Sequence, residues 1–66
     1  MSKVTQFVTR YPSVDGYTLI AVLEHINRKV QGTGGIDTLL SVALVDRQAA
    51  DYLVRTCIRF QKEGLT

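Results

Sequence analysis

Sixty-six residues make a single domain, residues 1–66, close to the size at which one apolar core needs help from a disulfide, a metal or a partner chain. Cys57 is the only cysteine and His25 the only histidine, which excludes an intrachain disulfide and leaves no Cys/His set for zinc. The net charge of +2 is only mildly basic, and no apolar run approaches the roughly 20 residues of a membrane span, so a cytoplasmic chain stabilised by a second copy of itself is expected.

Val4, Phe7, Val8 and Tyr11 follow helical spacing behind Ser2, a natural N-cap, and Pro12 ends that first short helix. Ser13 to Gly16 form a turn in which Ser13 or Asp15 can cap the next helix. From Tyr17 to about Gln31, the apolar set Leu19, Val22, Leu23, Ile26 and Val30 keeps helical period, and Arg28 and Lys29 suit the negative end of the helix dipole.

Gln31 to Gly35, QGTGG, is too glycine-rich for a stable helix. It lacks the Lys-Ser/Thr ending of a phosphate-binding loop and no strand pattern precedes it, so it reads as a connector and no cofactor is expected. Asp37 or Thr33 can cap a short helix that reaches Leu44. Ser41 to Val45 has some strand propensity, but so short a run between Leu-rich and Ala-rich stretches favours helix.

The last helix is expected from Arg47 to about Glu63, ended by Gly64 at a position that often needs positive φ. At ~100° per residue, Ala49, Ala50, Leu53, Val54, Cys57, Ile58 and Phe60 sweep an arc of roughly 180°, wider than one packing surface requires. Part of the arc is therefore expected to meet a second surface, which again points to a homodimer. On the other side, Gln48, Tyr52, Arg55 and Arg59 recur at i, i+4, i+7 and i+11, with Arg47 and Lys62 nearby. Arg and Gln pair bidentately with guanine and adenine edges, while Tyr, Lys and further Arg hold phosphates. Arg47 and Gln48, in the first turn, are the candidates for base contacts; Arg55 and Arg59 are the candidates for phosphate. The plain alternative is a solvated helix face, and Asp51 beside the stripe would repel phosphates unless Arg47 or Arg55 neutralises it.

Leu39 to Leu53, LLSVALVDRQAADYL, places Leu39, Leu40 and Ala43 on one helix, Val45 in a turn, and Ala50 and Leu53 on a second helix capped by Asp46. This layout resembles the helix-turn-helix family, whose second helix lies in the DNA major groove. The family pattern favours a small residue at the position of Leu40, and at that of Leu44 a Gly able to take positive φ. The ending FQKEGLT is similar to the close of the recognition helix in small winged-helix regulators of the PapI and FaeA kind, although the helix is about one turn longer and the chain stops where the wing would begin.

His25 and Cys57 do not assemble a catalytic set: no G-x-S-x-G motif is present, Cys57 falls within the apolar arc, and His25 has no second His for a metal. Tyr11, Tyr17 and Tyr52 read as core-edge or interface-rim residues. The sequence thus predicts a non-enzymatic all-α domain of three or four helices with a helix-turn-helix-like arrangement. Resemblance implies a dimeric transcriptional regulator that binds double-stranded DNA, of a size common among phage and plasmid proteins. The alternative is a helical dimer that binds and inhibits another protein, such as a phage- or plasmid-encoded inhibitor.

Overall fold

A computed structural model describes residues 2–30, 32 and 34–64. Among them are four helices and no strand: α1 (Lys3–Arg10), α2 (Gly16–Lys29), α3 (Ile36–Val45) and α4 (Arg47–Glu63). α1 packs on α2 and α3, and α4 packs on the same two helices from the other side.

Each start has a local cause. The Ser2 hydroxyl accepts the Thr5 backbone N–H at 3.1 Å, and Asp15, rather than Ser13, caps α2 by accepting that of Thr18, also at 3.1 Å. α1 ends at Tyr11, whose N–H still reaches the Phe7 carbonyl before Pro12 redirects the chain. α2 stops at Lys29, with Val30 as its C-cap. Val30 is therefore exposed and not part of the inward stripe to which its spacing assigned it.

The cap of α3 differs from expectation. Gly35 occupies the N-cap with no side-chain hydrogen bond, and Asp37 sits inside the first turn, where its carboxylate pairs with Lys3 of α1 at 2.8 Å. A carboxylate there also favours the positive end of the helix dipole. Thr33, the other candidate, lies outside the described residues. Gly34 has φ +84, and a Cβ on it would come within 2.9 Å of the Thr38 hydroxyl, so both backbone and space require glycine.

α4 begins one residue after α3 ends. Asp46 alone joins them, in extended conformation (φ −112, ψ 114), and its carboxylate accepts the N–H groups of Gln48 at 2.9 Å and Ala49 at 3.3 Å. No described residue other than glycine has positive φ, so Leu44 lies in the last turn of α3 with ordinary helical backbone where the helix-turn-helix pattern would place Gly. The elbow is thus tighter than the three- to four-residue turn of that motif. Val45, expected to be the turn residue of the apolar pattern, is instead the last residue of α3 and is 87% exposed. At the far end Gly64 takes φ 85 and returns its N–H to the Phe60 carbonyl, as a helix C-terminus favours.

The core is built from Phe7 and Val14, from Leu19, Val22 and Leu23 of α2, from Leu40 and Ala43 of α3, and from Ala50, Leu53 and Cys57 of α4. The breadth of the apolar arc on α4 follows from this arrangement: α2 and α3 flank the helix together. Ala49, Val54 and Phe60 are partly buried against the same core, and Ile58 lies at the edge, 39% exposed. The second surface that the arc requires is supplied largely within the chain.

Candidate functional site

Ala50, Leu53 and Cys57 define the inward direction of α4. At ~100° per residue, Gln48, Arg55, Arg59 and Lys62 project almost opposite to it, and all four are exposed. They form one line along a helix of 17 residues. The remaining two candidates leave that line on opposite sides. Tyr52, 63% exposed, turns toward a depression of about 210 Å³ between α2, α3 and α4, which it lines with Leu23, Ile26, Leu39, Val42 and Ala49. Arg47 turns toward α1, where with Gln48, Asp51 and Val54 it faces Tyr11 across a cleft of about 590 Å³. Sequence spacing brought all six residues together as a stripe; the structure keeps four on one face and assigns Arg47 and Tyr52 to its two flanks.

Asp51 is answered by Arg55, whose Nε lies 3.0 Å from a carboxylate oxygen one turn earlier. Both side chains are well exposed (58% and 78%), so the pair is screened by water and holds the two groups only loosely. Among the described residues, the side chains of Arg47, Arg59 and Lys62 make no ion pair or hydrogen bond. The face is consequently cationic, with one of its arginines partly neutralised.

Arg10 lies outside the stripe on α4 and reaches the site only through the fold. Its Nη1 donates to the Leu44 carbonyl at 2.9 Å, which satisfies one of the open carbonyls at the end of α3 and holds the guanidinium beside the α3–α4 elbow. Arg10 and Arg47 line the same hollow there, together with Tyr11 and Asp46. Thirty-four positions separate Arg10 from Leu44, and no local spacing signals the contact.

The other chemically notable groups sit apart from α4's outer face. The Cys57 side chain is wholly buried, and that burial pushes its thiol up from the ordinary 9.0 to about 11. The ring of His25 stands edge-on to Phe60 with centroids 6.4 Å apart. Tyr11 packs on Phe7 at 4.7 Å, whereas Tyr17 is 86% exposed and is not at the core edge. Among the described residues, no group of three His, Cys, Asp or Glu side chains is placed to hold a metal ion, and no helix is long and apolar enough to cross a membrane. Compared with family models, curated proteins and solved structures, the chain matches none.

Proposed function

We propose that the chain is a small DNA-binding transcriptional regulator of helix-turn-helix type, acting as a homodimer with α4 as its reading helix. The observation that carries this reading is the exposed line Gln48, Arg55, Arg59 and Lys62 on the side of α4 facing away from the core. A helix about 10 to 12 Å across fits the major groove, which is about 12 Å wide. In that position Gln48, near the leading end, suits an adenine edge, and Arg55, Arg59 and Lys62 suit phosphates further along. Arg47, on the flank, moves from the base-contacting role its spacing implied to a contact at the groove wall. Dimerisation would double this surface, and the apolar depression beside Tyr52 offers area for a second copy.

Fluorescence anisotropy with duplex DNA from the protein's own gene neighbourhood tests the reading. Binding should be strong at low salt, and Arg55→Ala and Arg59→Ala should each lower the slope of log affinity against log salt by about one without changing the fold. A wild-type chain that binds no duplex at low salt removes the proposal.

One observation favours the second reading, a protein-binding module: the depression lined by Ile26, Leu39, Val42 and Tyr52 is almost entirely apolar, and Val42 and Tyr52 are exposed at its edge. Such a hollow suits a bulky side chain from a partner helix. Under this reading Val42→Asp abolishes activity in the cell while Arg55→Ala and Arg59→Ala preserve it.

A further inference from the structure

We infer that Arg10 and Arg47 form a seat for one backbone phosphate, at the α3–α4 elbow and beside the outer face of α4. The inference deepens the DNA-binding reading and rests on it.

Two arginines from helices far apart in the chain line one hollow with Tyr11, and that hollow continues past Arg47 into the larger cleft bounded by Gln48, Asp51 and Val54. Like charges brought together at a concave surface repel each other unless something of opposite sign answers them. Two carboxylates are near, and each is also engaged by another group. Asp46 accepts the Gln48 and Ala49 N–H groups, and Asp51 forms an ion pair with Arg55. Arg10 spends one nitrogen on the neutral Leu44 carbonyl, and the Arg47 side chain has no partner among the described residues. Asp46 keeps its negative charge, so among the described residues the hollow sets two guanidiniums against one carboxylate that forms an ion pair with neither, which leaves an excess of positive charge for an anion.

Position and rigidity select the anion. The Leu44 contact fixes Arg10 against the elbow, leaving its remaining N–H groups to a ligand, and a planar guanidinium matches the oxygens of a phosphate in a fork. Tyr11 and Gln48 border the same trough and can donate to further oxygens. The trough opens at the leading end of α4, so a strand running past Gln48 carries a phosphate to it. Anchoring this end would set the depth and angle at which α4 enters the groove, which contacts along the outer line alone do not fix.

The test is a salt titration of duplex binding by wild type, Arg10→Gln, Arg47→Gln and Arg28→Gln, together with Arg55→Gln and a parallel titration with inorganic phosphate. Arg28 is an exposed cation at the far end of α2 and controls for lost net charge. Arg10→Gln and Arg47→Gln should each weaken duplex binding by about three- to tenfold at low salt and lower the salt slope by about one, with Arg28→Gln closer to wild type. Among the described residues the Arg47 side chain makes no bond, so its variant reports on binding even if Arg10→Gln is destabilised. If wild type binds duplex and Arg55→Gln weakens it while Arg10→Gln and Arg47→Gln match Arg28→Gln, the seat is overturned and the reading helix stands. If wild type binds no duplex, both fall. Saturable binding of inorganic phosphate that duplex does not displace would make this a free-anion site and overturn the backbone assignment.

Discussion

Gln61 holds Asp15: the Gln61 side-chain oxygen accepts the Asp15 backbone N–H at 2.7 Å, while its amide nitrogen donates to the Ser13 carbonyl at 3.0 Å. One amide on the last turns of α4 thereby fixes the turn between α1 and α2 and orients the carboxylate that caps α2. The bonds are exposed, so water replaces part of what a variant loses. Gln61→Ala should cost about 0.5 to 1.5 kcal/mol in chemical denaturation and speed amide exchange at Asp15. Unchanged exchange there would mean that the bridge contributes nothing in solution.

Asp46 carries the elbow alone, and its carboxylate serves two N–H groups at the start of α4. Asp46→Ala should destabilise by about 0.5 to 2 kcal/mol, and Asp46→Asn by much less, because an amide oxygen caps nearly as well. Urea midpoints of the two variants decide this. Equal losses would point to the carboxylate's charge rather than to its hydrogen bonds.

Much of this architecture is legible in the residues, and the gaps have a common cause. Ser2, Asp46 and Gly64 announce helix ends because a cap acts within its own first or last turn, and Leu19, Val22 and Leu23 announce a buried face because helical period is local. Asp37 has the local marks of a cap, as Thr33 does, because nothing nearby reveals Lys3, which the fold brings within 2.8 Å of Asp37. Likewise the arc on α4 signals that more than one surface covers it, but not that α2 and α3 are those surfaces. The candidate site divides in the same way. Spacing along α4 finds the line from Gln48 to Lys62, whereas the separation of Arg47 from Tyr52, and the arrival of Arg10, depend on which helices flank α4.

Leu53 is 4% exposed, packs into the core and also lines the apolar depression. Leu53→Ala should therefore cost roughly 2 to 5 kcal/mol, enough to unfold much of so small a domain. An unchanged melting temperature would show that this face of α4 is not the inward one.

Cys57 gives the fold a dependence on alkaline pH. Burial raises its folded thiol to about 11 from the ordinary 9.0, so between these values the unfolded chain releases a proton that the folded chain keeps. This contribution to stability is fully present below pH 9 and is lost as the pH rises toward 11. Denaturant midpoints of wild type should fall more steeply across that window than those of Cys57→Ala, which cancels the titration of tyrosines and lysines common to both. Parallel curves would place the thiol in contact with water, as would rapid reaction with a thiol reagent at pH 8 in the folded state.

Asp51 offers the sharpest division between the two functional readings. Its carboxylate is the acidic partner of Arg55 on the outer part of α4, and it lines the cleft shared with Arg47. Asp51→Asn removes a charge that would repel phosphates and frees Arg55 to meet one, at a stability cost of about 0 to 1 kcal/mol for so exposed a pair. If α4 reads DNA, the variant should bind duplex about two- to fivefold more tightly at low salt, with the gain shrinking as salt screens it. If the chain instead binds a protein through the depression beside Tyr52, on the other flank of α4, the same variant leaves that affinity unchanged. Anisotropy at low and at physiological salt separates these outcomes, and an Asp51→Asn chain that binds duplex no better than wild type would remove the outer face of α4 from the DNA contact.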